Sequence, residues 1–325
     1  VNKSSLLMII ALLGAGGAVF LNNFEIQGLD QLRIVRRSSS PKQVPDDEGS
    51  MPRDPESIRI AAFNIQVFGV SKVGNEPVME ILARTIRQFD VVAIQEVRSK
   101  SQDVVPQLVK LVNSSGRKYD FVIGERQGRT TSKEQYAYVF DSETIEVDRN
   151  QLYSIQDPDD LLHRPPYIAW FRARGPPPEH AFTFTLVNIH TDPDEVSDEV
   201  NVLDDVFHLV RDDGRGEDDV IVLGDLNADD KSLGELGEIS GMTAAISGVP
   251  TNTRRTKQYD NLVFHMTATN EFRSRSGVFD YMREYNLTQE QALQVSDHLP
   301  VWAEFSIYEG GVEPAVAAKG GGQLR

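Results

Sequence analysis

Short apolar runs recur along this chain, and several of them end in side chains suited to binding a metal ion or a phosphate. The apolar run Val220–Leu223 leads through Gly224 into Asp225 and Asn227. Side chains two positions apart on an extended backbone point the same way, so this acid and this amide can reach one ligand. Comparable positions at or beside the ends of other apolar runs are occupied by Asn64, Glu96, His190 and Asp260. Polar groups at strand ends converge on one rim of a layered α/β domain, although each alone is also typical of a turn or a helix cap.

The hydrophobic periodicity predicts one α/β domain over residues 57–308. Alternating or continuous apolar residues predict strands at 58–64, 90–94, 119–123, 136–140, 167–173, 181–190, 220–224, 261–265 and 301–307. Apolar residues at helical spacing predict helices near 78–89, 104–112 and 196–210. Helices alternate with strands over much of this range, which favours a sheet covered by helices.

The two ends of the chain have a different composition. An apolar run over residues 6–21 predicts a signal peptide or an N-terminal membrane anchor in segment 1–21, with a buried core helix as the third interpretation. Segment 22–56 is rich in turn formers and charge and predicts a flexible linker, and segment 309–325 predicts a disordered tail. These features indicate an extracytoplasmic protein that is secreted, periplasmic or membrane-anchored.

The net charge and the cysteine content limit the kinds of catalysis and ligand binding that the chain can support. The chain has a formal net charge of −16 and no cysteine. The missing cysteines exclude disulfides, thiolate catalysis and cysteine zinc sites. An acidic surface repels nucleic acid at long range, so work on phosphodiesters would need bound cations or a local basic patch.

Two of the six histidines have neighbours suited to catalysis. His190 ends the apolar strand Thr185–His190, and His298 lies in Ser296–Pro300, just before the last predicted strand. Hydrolysis of a phosphodiester requires deprotonation of water, stabilisation of negative charge and protonation of the leaving oxygen. Histidine titrates near neutral pH and can transfer these protons, and carboxylate-bound Mg²⁺ can stabilise the charge.

Taken together and in order, these motifs resemble those of the endonuclease/exonuclease/phosphatase superfamily. The resemblance is greatest to its deoxyribonuclease I branch and covers residues 58–308. The motifs that carry it are Ala61–Gly69, Ile94–Arg98, Gly128–Arg129, Lys133–Tyr136, Asn188–His190, Gly224–Ala228, Tyr259–Asp260 and Ser296–Pro300.

The resemblance implies a four-layer α/β sandwich of two packed mixed sheets flanked by helices. It implies two acid/base dyads, Glu134 with His190 and Asp260 with His298, and a metal and phosphate site. The implied metal ligands are Glu96, Asn64, Asp225 and Asp297, and Asp225 also has a catalytic role. The residues implied to bind substrate phosphates or the DNA groove are Asn227, Arg98, Arg129 and Arg164.

The implied activity is cleavage of DNA, chiefly double-stranded, by a monomer that uses Mg²⁺ or Mn²⁺. Structural Ca²⁺ stays an open expectation. The position at which this branch commonly has a groove-stacking aromatic residue is Ser132 here, which weakens the expected preference for duplex DNA. Two alternatives remain: a phospholipid or inositol-phosphate phosphoesterase on the same scaffold, and an inactive tethered binding module.

Overall fold

A computed structural model describes residues 51–129 and 133–312. The predictions for segments 1–21 and 313–325, for most of the linker and for Ser132 lie outside the described residues. Residues 51–56 contact the domain: Met51 N donates to Gln88 Oε1, and Arg53 pairs with Asp90 at 3.0 Å. At the other end, Gly310 N donates to Glu271 Oε1 at 2.6 Å, so ordered contacts continue past residue 308.

The strands form two mixed sheets of six strands each, in the orders β11-β12-β1-β2-β4-β3 and β5-β6-β7-β8-β10-β9. The first sheet consists of β1 (Ser57–Phe68), β2 (Val91–Val97), β3 (Tyr119–Ile123), β4 (Gln135–Asp141), β11 (Phe272–Val278) and β12 (Val301–Ser306). The second consists of β5 (Ile145–Ser154), β6 (Tyr167–Ala173), β7 (Thr183–His190), β8 (Val220–Asp225), β9 (Met242–Ala244) and β10 (Asp260–His265). Each sheet has one parallel pair at its centre, β1 with β2 and β7 with β8, and its other pairs are antiparallel.

Helices cover the outer faces of both sheets. The helices are α1 (Val70–Val73), α2 (Glu76–Ile86), α3 (Val104–Val112), α4 (Val196–Asn201), α5 (Leu203–Arg211), α6 (Gly234–Glu238), α7 (Tyr281–Glu284) and α8 (Gln289–Val295). One apolar core lies between the sheets and is rich in stacked aromatic rings, among them Phe171, Phe182 and Phe305. Two further cores lie between each sheet and its helices, which confirms the predicted four-layer α/β sandwich.

The structure differs from the sequence predictions at several elements. The helix expected over 196–210 is divided at Val202, whose amide bonds to Glu199 O three residues back instead of four. Strands β5, β9 and β11 were not predicted, and each lies at the edge of its sheet. Among the described residues, none of the helices is long and apolar enough to cross a membrane.

Gly224 lies in β8 directly beside Ile189 of the parallel strand β7. Its φ is +142°, and a Cβ built there would overlap the carbonyl oxygen of Ile189. Glycine is therefore required for steric as well as conformational reasons. The residue after it is Asp225, so the close approach also sets the position of that carboxylate.

We expect Gly224→Ala to lower the free energy of unfolding by roughly 3 kcal/mol, because the new methyl group must displace a strand. Gly116→Ala is the matched control: Gly116 has φ +94° but no atom within 4 Å of a built Cβ. The control should lose only about 1 kcal/mol from backbone strain. Urea unfolding of both variants measures the difference, and equal losses would show that the overlap with Ile189 is relieved without cost.

Candidate active site

The first part of the site lies where β1 and β2 end. Asn64 donates from Nδ2 to Glu96 Oε1 at 3.2 Å. The other oxygen of Glu96 accepts the backbone N–H of Val67 at 2.9 Å. Both Val67 and Glu96 have positive φ, +50° and +62°, in a stretch where the β1–β2 register shifts. Such conformations are unfavourable for a non-glycine residue, above all a β-branched one, and they are typical of functional sites.

His190 and Glu134 form the first predicted dyad. Nδ1 of His190 donates to Glu134 Oε1 at 2.7 Å, and both side chains are buried. The backbone N–H of His190 donates to the hydroxyl of Tyr136 at 2.9 Å, which holds the end of β7 against β4. The carboxylate thus fixes the imidazole tautomer that carries hydrogen on Nδ1 and leaves Nε2 facing the site.

His298 and Asp260 form the second predicted dyad. Nδ1 of His298 lies 2.9 Å from Asp260 Oδ2, and that oxygen also accepts the Thr251 hydroxyl at 2.6 Å. The Ser296 hydroxyl accepts the His298 backbone N–H at 3.1 Å and donates to Asn64 O at 2.7 Å. The loop before β12 is therefore fastened to β1, and it aligns the second imidazole with the first.

Asp225 stands between the two dyads. Its Oδ2 accepts the amide of Asn64 at 2.8 Å and lies 3.5 Å from Nε2 of both His190 and His298. The same carboxylate accepts the backbone N–H of Asn227 on Oδ1 at 3.0 Å. Two imidazoles held from behind by carboxylates therefore face one central acid, and the arrangement can accept a proton on one side and release a proton on the other.

The electrostatics of the site favour charged dyads. Burial acts to raise the pKa of Glu134, but His190, Arg164 and Arg98 outweigh it and lower that pKa. Burial acts to lower the pKa of His190, yet Glu134 and Asp225 raise it overall. The pKa of His298 rises to about 10 because Asp260 and Asp225 outweigh its burial.

One hydrogen bond, 2.9 Å long, joins Asp260 Oδ2 to His298 Nδ1, so the two groups compete for its proton. Burial and the charge of Asp225 raise the pKa of Asp260, while His298 opposes that rise. Because Asp225 also faces the imidazole, we place the shared proton on His298.

The three predicted arginines differ in their contacts. Arg98 Nε lies 3.1 Å from Glu96 Oε2 and 3.4 Å from Glu134 Oε2, so it joins the two halves of the site. Arg164 is buried and donates from Nε to His190 O at 3.0 Å, beside Glu134. Arg129 pairs instead with Asp160 and Glu195, and the structure gives it no contact with the dyads.

The remaining predicted residues lie at the margin of the group. Asn227 has φ +48° and donates its side-chain amide to Thr191 O at 3.0 Å. Asp297 is half-buried, with Oδ1 3.9 Å from His298 Nε2. Lys72, which the sequence analysis did not identify, donates to Val295 O at 2.7 Å. Burial lowers the pKa of Lys72 to about 8 although Glu96 and Asp297 oppose the shift.

The residues around Glu96 fit a divalent cation. Asn64 Oδ1 and Asp297 Oδ1 are buried and have no hydrogen-bond partner among the described residues. Carboxylate and amide oxygens are the hard ligands that Mg²⁺ and Mn²⁺ prefer. Asp225, Asp260 and His298 also bring ligand atoms within 4.8 Å of one another. Since His298 Nδ1 and Asp260 Oδ2 are already joined by a hydrogen bond, that trio fits a dyad better than a metal cage.

Several supporting residues were missed by sequence reasoning. Gln95 Nε2 donates to Asn188 Oδ1 at 2.6 Å between the two sheets, directly behind the site. Thr251 holds Asp260, and Tyr136 holds His190. Tyr136, Asn188 and Ser296 lie in the family motifs named above, but the motifs did not show what these side chains contact. Thr251 lies in none of those motifs.

Comparisons with known proteins agree with this geometry. The profile of the Endonuclease/Exonuclease/phosphatase family matches residues 61–281. The chain is 36% identical to Deoxyribonuclease-1-like 1 of Cricetulus griseus over 263 residues, covering 77% of this chain and 84% of that protein. It is 32% identical to Deoxyribonuclease gamma of Rattus norvegicus over 269 residues, covering 75% and 83%. The crystal structure of truncated Caenorhabditis elegans TDP2 shares the fold, with TM-score 0.53, 15% identity, and coverage of 77% and 98%.

We expect the metal-free protein to lose stability as pH rises from about 6.5 to about 10, because the pKa of His298 is raised in the folded state. The stabilisation from protonated His298 is fully present below the unfolded pKa and is lost as pH passes the folded pKa. His298→Gln should flatten this decline, whereas His180→Gln, at an exposed turn, should retain it. Urea unfolding in EDTA at several pH values measures the slopes, and identical slopes for all three proteins would contradict the pKa shift.

Proposed function

Because this chain belongs to the endonuclease/exonuclease/phosphatase family, we propose that it is a divalent-metal-dependent endonuclease that hydrolyses DNA. The observation that carries the proposal is the convergence of two histidine–carboxylate dyads on Asp225. The two named relatives compared above are deoxyribonucleases, and the chain covers more than four fifths of each. We further propose that it acts as a monomer, outside the cytoplasm, and chiefly on duplex DNA.

The two imidazoles divide the proton transfers. One Nε2 accepts a proton from the attacking water as its oxygen bonds to phosphorus. The other Nε2 donates a proton to the 3′ oxygen as the P–O3′ bond breaks, so the product keeps a 5′-phosphate. Glu134 and Asp260 stabilise the imidazolium on each side, and Asp225 orients both rings.

The metal site lies on the Asn64 side of Asp225. Glu96, Asn64, Asp225 and Asp297 would hold Mg²⁺ or Mn²⁺, which neutralises the negative charge of the phosphate when bound. Asn227 lies beside these ligands, with its side-chain amide at the edge of the site. Arg98 balances the negative charge of Glu96 and Glu134 and is about a quarter exposed, so it can also face the substrate.

We propose that a basic surface next to the site offsets part of the repulsion between DNA and a chain of net charge −16. The segment before β4 returns to the site through the bridge between Gln127 and Glu134. Its cationic residues are Arg126, Arg129 and the exposed Lys133. Arg126 donates to Ser99 O and to Lys133 O, which ties this segment to the end of β2. We propose that this surface contacts the phosphates of the DNA backbone, with Arg129 partly neutralised by Asp160 and Glu195.

We expect the protein to convert supercoiled plasmid to open circles with MgCl₂ or MnCl₂, and not with EDTA. His190→Ala and His298→Ala should each lower kcat by about 10² or more, because each removes one proton-transfer group. His180→Ala is the matched control, since this exposed histidine lies in the 3-10 turn Pro178–His180 before the start of β7, whereas His190 is at the other end of that strand. Agarose gel quantification of the nicking rate measures all three variants.

The same preparations should also be assayed for hydrolysis of a phosphatidylinositol phosphate and of an inositol phosphate. Hydrolysis of either compound with intact plasmid would replace the nuclease proposal with a lipid or inositol-phosphate phosphoesterase. A wild-type protein that melts as a folded protein but hydrolyses neither plasmid DNA nor either phosphate ester would favour an inactive binding module.

We expect Lys133→Gln to raise KM for DNA with little change in kcat, because it removes a phosphate contact and not a proton-transfer group. The slope of log KM against log salt should fall by about 1 for one lost contact. Lys110→Gln, on the exposed face of α3, removes the same charge away from the site and should leave the slope unchanged. Equal effects of the two substitutions would indicate net charge alone and contradict a local basic surface.

A further inference from the structure

A second group of acids lies at the opposite end of β8 from Asp225. Asp219 comes directly before β8, so it is about 20 Å from Asp225 along the strand. It is joined there by Glu271, which directly precedes β11, and by Glu309, which follows β12. Ligand oxygens of these three carboxylates lie within 4.8 Å of one another. The group brings together one end of each sheet, because β8 belongs to the second sheet and β11 and β12 to the first.

Backbone N–H groups already hold one oxygen of each of two of these acids in place. Gly310 N donates to Glu271 Oε1 at 2.6 Å, and Thr183 N donates to Glu309 Oε2 at 3.2 Å. Beside them, Glu217 accepts Asp219 N at 3.1 Å and the indole N–H of Trp170 at 2.8 Å. The acids are thus oriented by protein contacts and are not mobile surface charges.

Among the described residues, two buried carboxylate oxygens of this group have no hydrogen-bond donor. Asp219 Oδ1 and Glu271 Oε2 are buried without a hydrogen bond, and both residues are only 1% exposed. The hydroxyl of Thr269, which adjoins Asp219, is buried and makes no well-aligned hydrogen bond. Within residues 51–129 and 133–312, no Lys, Arg or His forms an ion pair with these carboxylates. Buried oxygens left unpaired are costly, and several at one place indicate a missing positive group.

The ionisation of Asp219 shows how strong the repulsion is. Burial and the charges of Glu271, Glu217 and Glu309 raise the pKa of Asp219 to about 10. Two chemical solutions exist for such a group. The carboxyls share protons, or a cation lies between them.

We propose that Asp219, Glu271 and Glu309, with the hydroxyl of Thr269, bind a divalent cation, namely Ca²⁺. Every available ligand is a hard oxygen, and the ligands come from separate segments that close around one point. Mg²⁺ keeps several waters and prefers few protein ligands, whereas Ca²⁺ accepts a cage of many protein oxygens. Glu217, held by Trp170, lies where it can support the ligands from outside. The exposed Glu309 marks the side from which the ion enters.

The bound ion fastens the two sheets together at the end remote from the dyads. The inference does not depend on the proposed nuclease activity. Its test therefore uses binding and stability, and a protein without nuclease activity would serve equally well.

The full chain, treated with EDTA and dialysed, should gain about 5 °C in melting temperature on addition of CaCl₂ at a hundredfold excess over Kd. Asp219→Asn and Glu271→Gln should abolish most of this gain. Their metal-free melting temperatures should equal or exceed that of the wild type, because each replaces a buried carboxyl that its acidic neighbours disfavour with a neutral amide of similar shape. Glu96→Gln, at the proposed active-site metal, is the matched control and should retain the Ca²⁺ response.

Tb³⁺ supplies a local readout, because Trp170 contacts Glu217 and can transfer excitation to an ion bound beside it. Tb³⁺ emission excited through tryptophan should be displaced by CaCl₂, vanish in Asp219→Asn and Trp170→Phe, and persist in Glu96→Gln. A wild type with neither a Ca²⁺-dependent shift nor Tb³⁺ emission would establish proton sharing and overturn the proposal. Emission that survives Asp219→Asn would also overturn it.

Discussion

The hydrogen bond from Asn64 Nδ2 to Asp225 Oδ2, 2.8 Å long, is the contact on which the rest of the site depends. Asn64 belongs to β1 in one sheet and Asp225 to β8 in the other, so this bond links the two sheets where both parallel pairs end. The same oxygen of Asp225 lies 3.5 Å from Nε2 of His190 and 3.5 Å from Nε2 of His298. A sliding of one sheet against the other would therefore disturb the metal side and both dyads at once. The bond between Gln95 and Asn188, directly behind, resists such sliding.

The backbone carries strain to make this arrangement. Glu96 and Asn227 adopt positive φ values of +62° and +48°. Glu96 is itself an acid of the site, and Asn227 lies two residues after Asp225. Such conformations cost on the order of 1 to 3 kcal/mol each and persist when surrounding contacts enforce them. Asn227 N donates to Asp225 Oδ1, and Val67 N donates to Glu96 Oε2. The sequence analysis expected Asp225 and Asn227 to point the same way on an extended backbone, but β8 ends at Asp225 and Asn227 has φ +48°. The spacing could not show that the Asn227 side chain donates to Thr191 O, because that partner follows from the turn geometry.

The sequence predicted the centre of the fold better than its margins. Central strands such as β2 and β8 are buried on both faces, so they are continuous apolar runs that periodicity identifies. Strand β5, with Asp148, Arg149 and Asn150 in its middle, lies at a sheet edge and needs no apolar alternation. The acids and histidines of both dyads were predicted through family motifs and not through spacing alone. The contacts of Arg129 with Asp160 and Glu195 depend on how distant loops meet, which no local pattern records.

The pairing of β1 with β12 has a consequence for how the protein is made. Ser57 pairs with Ser306, so the first strand of the domain waits for the last before its sheet is complete. His298 lies just before that last strand, and Asn64 and Asp225 are 161 positions apart. Contacts this distant along the chain form late and slowly in folding. During synthesis, β1 is therefore present long before the residues that complete the site. The two dyads assemble only when the native topology is complete.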